Sequence, residues 1–519
     1  MKTRTLITLF LTIVMLPVMA QQQSKSMQPS TQQPDMAQVT LVQSMPEQIE
    51  EIRAPFDMPQ LQRPVFPART LYINKVGARQ GVLCTKKIQA AIDRLSRQGG
   101  GTLVITGGTK EKPAKWLTGR ITLKSNVCLQ IDANAELCFS GDVSDYLPAV
   151  ACRNEGVDIY GPGAMIYADG AENIAVVGQG KLVAPSRDCQ LLQLTMAGIP
   201  ESVQDMPLQD RLFDGLHPHN DIPFANKDTE TKLKANANNS AKAVATGKGN
   251  QKISSPRGGR EGATSVLCLP VFFGPMNSRN VLLEGVTLEG SIFWNIVPVY
   301  CENIIIRGVT VSSAGIARTD GIDIDSSRNA LIEYTTLDCG DDCFTLKAGR
   351  GMDGLTKARP TENVVIRHCT ARRGAGGLTV GSETAAMIRN VYMQDVTIES
   401  PKYGIYFKTR RPRGGGGENM WFENIHMLSP KTRAVYWDML GSATYVGKLA
   451  ERYNTDNNPK LTPVFRNIHF DGLTVDSCTD FIKAIGLPES PVEDVTFKNI
   501  SSPSCQRITL QDVGKFTIE

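Results

Sequence analysis

Between Asn280 and Val475 the hydrophobic and polar positions follow one recurring pattern: an Asn, apolar residues at +1 and +3, and usually again at +6 and +8. The copies begin at Asn280 (NVLLEGVTL), Asn303 (NIIIRGVTV), Asn329 (NALIEYTTL), Asn363 (NVVIRHCTA), Asn390 (NVYMQDVTI), Asn419 (NMWFENIHM) and Asn467 (NIHFDGLTV). Within each copy the apolar residues sit two apart in two short runs, which is the periodicity of strands and not of helices. Most copies start 23 to 34 residues after the previous one, room for one coil of two or three short strands with turns. The pattern predicts an all-β chain wound as a parallel β-helix. Coils stacked roughly 4.8 Å apart put equivalent residues in columns, and a column of Asn at a turn forms a ladder of side-chain hydrogen bonds. That explanation suffices for the Asn residues, and no catalytic role is assigned to them.

Upstream, Ile88 to Leu95 (IQAAIDRL) has helical spacing and is followed by Gly99-Gly100-Gly101 and an expected strand, Thr102 to Ile105. It is expected to be a short N-terminal helix capping one end of the solenoid. The first residues, Lys2 and Arg4 followed by an apolar run from Leu6 to Met19 and Val18-Met19-Ala20, have the layout of a cleavable signal peptide spanning residues 1–20. Cleavage after Ala20 and a secreted or periplasmic location are expected. The apolar run is shorter than a membrane span, and no later segment approaches one. Residues 21–66, rich in Gln, Ser, Met and Pro, are expected to be a flexible segment ahead of a β-helix domain over 67–519. A polar insertion without periodicity interrupts that domain at about 205–262.

Composition narrows the function classes. A net charge of +4 over 519 residues, with no interleaving of basic and aromatic residues, argues against nucleic acid as a partner. The twelve Cys lack metal-type spacing and are expected mainly as small buried residues inside coils, although export would permit disulfides. The densest basic cluster is Lys408, Arg410, Arg411 and Arg413, running into Gly414 to Gly417.

Candidate chemistry appears when the second strands of successive coils are aligned: Gly321-Ile322-Asp323-Ile324, Cys343-Phe344-Thr345-Leu346, Gly377-Leu378-Thr379-Val380, Gly404-Ile405-Tyr406-Phe407 and Ala434-Val435-Tyr436-Trp437. Alternation turns Ile322, Phe344, Leu378, Ile405 and Val435 inward and Asp323, Thr345, Thr379, Tyr406 and Tyr436 outward. Asp320 precedes the first of these strands, and Asp341-Asp342 precede the second, so adjacent coils bring three carboxyls together. Like charges this close raise the proton affinity of at least one member, giving a protonated acid beside ionised bases. Glycoside hydrolysis needs that division of labour. The competing reading is that stacked oxygen ligands hold Ca²⁺, as in a lyase; Lys347 and Lys408 beside the acids weigh against it.

At these residues the chain resembles glycoside hydrolase family 28, the polygalacturonases and their relatives, in its bacterial form. Thr319-Asp320-Gly321-Ile322-Asp323 and Gly340-Asp341-Asp342-Cys343 match that family's Asn-Thr-Asp and Gly-Asp-Asp motifs, and the likeness runs from about Gly77 to the C-terminus. The resemblance implies a single-stranded, right-handed, pectin lyase-like solenoid. It implies Asp341 as the general acid, Asp320 and Asp342 as the groups activating water, and hydrolysis of α-galacturonosyl bonds in pectic polysaccharide with inversion. Substrate-binding residues are expected at Lys408, Tyr406, Asp323, Tyr436 and Arg410, with no cofactor and no metal, in a monomer.

Two departures bear on specificity. Ala375 stands where bacterial relatives have a His in Gly-His-Gly, and Tyr406-Phe407-Lys408 keeps the Lys of Arg-x-Lys while losing the Arg. Rhamnogalacturonan hydrolases of this family also dispense with the His, so a substituted or rhamnogalacturonan-type substrate is expected, with Tyr406 and Tyr436 offering sugar-stacking faces. A pectin-binding protein of this fold with weak or lost catalysis is the alternative, which retention of all three aspartates disfavours.

Overall fold

The computed structural model describes residues 45–195, 269–454 and 458–519. The expected signal peptide and the insertion at about 205–262 lie outside the described residues. Among those described, every strand pairing between coils is parallel, and one pair is antiparallel, a hairpin of Val150–Asn154 with Val157–Gly161. No described helix is long and apolar enough to cross a membrane.

The fold is built by the repeat, coil upon coil. Register pairing runs Val127, Ile174, Val281, Ile304, Ala330, Val364, Val391, Met420, Ile468 and Val495 in one inward column, each stacked on the next and buried. Burial of such columns supplies the main driving force, at roughly 25 cal/mol per Å² of apolar surface. The Asn ladder forms as expected: Asn280 Nδ2 donates to Asn173 Oδ1 at 2.9 Å, Asn303 to Asn280 at 3.0 Å, and the chain continues through Asn329, Asn363, Asn390 and Asn419 to Asn467. Each of these Asn has a left-handed backbone (φ 55 to 58°), a conformation Asn tolerates better than most side chains.

Helix α1, Thr85–Arg97, buries Ile88, Ala91, Ile92 and Leu95 against the first coils and closes the core at that end. The chain then turns at Gly101, where a Cβ would stand 2.4 Å from the Arg69 carbonyl oxygen, so only glycine fits.

Residues 45–66, expected to be flexible, instead lie along the solenoid as a strap. Ile52 and Leu61 are buried against an outward column of Cys128, Ala175, Leu282, Ile305, Leu331, Val365 and Tyr392. Arg307 Nη2 donates to the Pro46 carbonyl at 2.8 Å, and Arg367 donates to the Glu50 and Glu51 carbonyls at 3.1 and 3.0 Å. Buried Glu333 accepts from both arginines. The physical reason is that this sheet carries apolar residues on its outer face as well, and they require a cover. Among the cysteines, Cys478 and Cys505 form a disulfide, and most of the others described are buried, as expected of core residues.

The face of interest is a seven-stranded parallel sheet: β1 (Ile322–Asp325), β2 (Phe344–Lys347), β3 (Gly376–Gly381), β4 (Tyr403–Lys408), β5 (Arg433–Asp438), β6 (Asp480–Ile485) and β7 (Ile508–Gln511). Its register matches the sequence alignment, Asp323 to Thr345 to Thr379 to Tyr406 to Tyr436.

Candidate active site

The three aspartates sit in the turns leading into β1 and β2. Thr319 ties those turns together: its hydroxyl donates to the Ile316 carbonyl at 2.7 Å and accepts from the Gly340 N–H at 2.9 Å. Asn295 donates twice to the Asp320 carbonyl, from N–H at 2.9 Å and from Nδ2 at 2.8 Å, and the Gly321 N–H donates to the Asp342 carbonyl at 2.9 Å. With the backbone pinned, Asp320, Asp341 and Asp342 each bring one carboxyl oxygen within 4.8 Å of the others. Asp320 and Asp342 are buried, whereas Asp341 is partly exposed.

Electrostatics divide the acids. Burial, then the neighbouring carboxylates of Asp323 and Asp341, push Asp320 well above the ordinary carboxylate range. Burial, then Asp342, lifts Asp341 to about 6, while Lys408, Lys347 and the hydrogen bond from the Asp342 N–H restrain it. The cluster therefore holds proton on the acid side of neutrality. Lys408 Nζ stands 4.0 Å from Asp342 Oδ2. Lys347 Nζ lies 3.6 Å from Asp323 Oδ1 and 3.1 Å from Glu383 Oε2; burial opposes its charge, but Glu383, Asp323 and Asp320 outweigh that and hold it well above the usual lysine range. Among the described residues the three aspartates are also the group whose oxygens could share a cation. Lys347 and Lys408 already supply positive charge there, so the donor set fits proton chemistry better than a divalent metal.

The other expected residues separate into those that face the site and those that support it. Lys408 and Asp342 are brought together. Asp323, expected to bind substrate, is fully buried and paired to Lys347. Arg410 is likewise buried, donating to Ser382 Oγ at 3.2 Å. Tyr406 stacks on Tyr436 with ring centroids 4.9 Å apart and planes 7° apart, and Tyr403 covers it at 4.7 Å, so its faces are engaged by protein rather than free for a sugar. Its hydroxyl points to Asp438 Oδ2 at 3.4 Å. Ala375 N–H donates to the Asp341 carbonyl at 3.0 Å, which ties the backbone at Ala375 to that of the acid.

Sequence reasoning missed Glu383 and the hairpin. Glu383 is buried and takes ion pairs from Lys347 and, at 3.2 Å, Arg413; burial disfavours its charge, but Lys347, Arg413 and Arg350 hold it well below the ordinary range. Its position directly after Gly381-Ser382 was the available signal. The hairpin tip stands over the coil carrying Asp320: Glu155 pairs with Arg318 and with Arg350 (3.6 Å), and Arg350 N–H donates to the Gly156 carbonyl at 3.1 Å.

The site is thus three convergent carboxyls and a lysine on one outer sheet of a parallel β-helix solenoid. The chain belongs to the glycosyl hydrolases family 28, whose model matches residues 242–509. Among relatives, it is 24% identical over 477 residues to an exo-poly-alpha-D-galacturonosidase of Dickeya chrysanthemi, covering 84% of this chain and 72% of that one. It is 27% identical to a probable polygalacturonase of Vitis vinifera, where the match covers 45% of this chain and only 46% of the relative. Among solved structures, a hyperthermoactive exopolygalacturonase of Thermotoga maritima superposes with a TM-score of 0.68 and 26% identity, covering 88% of this chain and 92% of that one. A polygalacturonase of Erwinia carotovora, at 17% identity and a TM-score of 0.55, shares the fold. The fold is the right-handed parallel β-helix of these structures.

Proposed function

We propose that this protein hydrolyses α-galacturonosyl bonds in pectic polysaccharide. The observation carrying this reading is the convergence of Asp320, Asp341 and Asp342 within 4.8 Å beside Lys408, with Asp341 titrating near 6. In this reading Asp341 protonates the leaving glycosidic oxygen, and Asp342 with Asp320 takes a proton from the attacking water. One proton leaves Asp341 as one arrives on the base, so the enzyme's charge is unchanged by the step. Lys408 is suited to grip a uronate carboxylate. Incubation with defined galacturonan and rhamnogalacturonan oligosaccharides tests the reading: saturated products with a new reducing end are expected, unaffected by chelator. Calcium-dependent release of unsaturated products would move the protein to the lyase reading, and binding without cleavage would make it a pectin-binding protein.

Inversion is proposed on the family likeness. Retention is the alternative, since inverting and retaining enzymes both work with a pair of carboxyl groups and differ in their separation. The anomer first released, read by proton NMR, decides between the two. Chain-end attack is supported by the hairpin standing over the Asp320 coil and by the likeness to two exo-acting relatives. On the leaving side, the loss of a guanidinium at Tyr406 favours a neutral sugar such as rhamnose, whereas those same relatives favour galacturonate. Export through the leader at 1–20 is proposed as well, and N-terminal sequencing of the mature protein checks it.

A further inference from the structure

Beside the three aspartates lies a group of buried polar atoms without hydrogen-bond partners among the described residues, Asp323 Oδ1 having the longer ion pair with Lys347 Nζ at 3.6 Å. Both carboxylate oxygens of Asp323, the hydroxyls of Thr345 and Thr379, and Oδ1 of Asp342 are buried and have no hydrogen-bond partner among the described residues. They are not scattered: Asp323, Thr345 and Thr379 are register partners on β1, β2 and β3, one column on one face. Asp342 joins them through Gly376. A Cβ built on Gly376 would stand 2.1 Å from Thr379 Oγ1 and 2.9 Å from Asp342 Oδ1, so both atoms crowd the position a side chain would take there.

Register partners elsewhere on the solenoid bond directly, as the Asn ladder does, but these side chains do not reach one another within hydrogen-bond distance. That separation suits a single water bridging each pair. The chemistry agrees, because the carboxyl and hydroxyl oxygens all accept, while each hydroxyl supplies a single donor. Water supplies the missing donors, and a buried water takes two to four polar partners, as this column offers. Trp294, itself buried and carrying Lys347 Nζ 4.6 Å above its ring, lies beside the column.

We infer that Asp323, Thr345 and Thr379 bind buried water that hydrogen-bonds Oδ1 of Asp342, so that Thr345 and Thr379 are positioning residues for that carboxylate. The inference rests on the proposed function only for its kinetic consequence: one oxygen of Asp342 is held by the hydrated column while its carboxylate serves the attacking water.

Diffraction to atomic resolution from the full chain reads the column whatever the activity. An ordered water within hydrogen-bond distance of both Thr379 Oγ1 and Asp342 Oδ1 is expected, with another between Asp323 and Thr345. A protein side chain filling that space, or an ion at about 2.3–2.6 Å from the carboxylates, overturns the inference. In kinetics, Thr379→Val keeps the shape and removes the hydroxyl. It is expected to lower kcat about 10- to 100-fold with KM nearly unchanged, and Thr379→Ser to restore most of the loss. Equal losses in the Val and Ser variants, or a loss confined to KM, show a structural role and sink the positioning claim. A wild type that cleaves no galacturonosyl bond sinks the proposed function instead, and the diffraction result still decides the hydration.

Discussion

The seven-stranded sheet has two halves that share a register and differ in how they are satisfied. Over β1 to β3 its outward column is Asp323, Thr345 and Thr379, buried and lacking hydrogen-bond partners among the described residues; over β4 and β5 the same column is Tyr406 and Tyr436, stacked on each other. One half keeps polar atoms unspent beside the acids, and the other spends its surface on packing. Unsatisfied buried groups tend to mark functional sites, and the other half presents a packed aromatic wall next to them.

The largest test of that contrast is Asp341→Asn. Turnover is expected to fall by about 10³-fold or more, because the amide keeps the shape and cannot deliver a proton; kcat on a pectic oligosaccharide, with circular dichroism to confirm the fold, reads it. Next is Glu383→Gln, which leaves Lys347 and Arg413 without their shared counter-charge in the interior. A loss of about 3–5 kcal/mol in denaturant unfolding is expected. In the aromatic half, Tyr436→Ala removes a stacked ring and is expected to cost about 3 kcal/mol of stability, with a smaller effect on kcat than any change among the acids.

A pH series sharpens the comparison further. Asp341 has a folded value of about 6, above the ordinary carboxylate value, so the fold prefers its protonated form. Its favourable contribution is full below about pH 4 and is lost as pH rises through 6. Activity should decline over the same rise, as the acid loses its proton. Asp341→Asn should be more stable than wild type at pH 7 by ~1–2 kcal/mol, the value being reduced by partial exposure, and the gap should close at pH 4 in thermal melts. The smallest effect is reserved for Tyr406→Arg, expected to shift the kcat/KM ratio toward galacturonate over rhamnose on the leaving side by about 3- to 10-fold. An unmoved ratio removes Tyr406 from specificity.

Much of this was legible in the sequence, for reasons that also mark where legibility ends. The Asn-led copies define coils because their contacts are between neighbours, and the aspartates follow because adjacent coils stack in register. Alternation placed Asp323 outward from the core, which is right, but outward is not exposed when Lys347, itself lying over the Trp294 ring, pairs with it. The strap was readable in principle: NVLLEG and NIIIRG have apolar residues at +2 as well, and Leu282 and Ile305 are the ones it covers. The hairpin was not, since Arg153 meets Asp325 across 172 residues of chain and no local pattern announces such a pair.

The strap has a consequence for how the molecule comes apart. A solenoid whose coils touch only their neighbours behaves as a one-dimensional array, free to fray from either end. By touching residues from Cys128 to Tyr392 at once, the segment 45–66 splices many coils into one cooperative unit. Fraying is thereby steered to the C-terminal coils beyond its reach, the stretch where Cys478 and Cys505 are cross-linked.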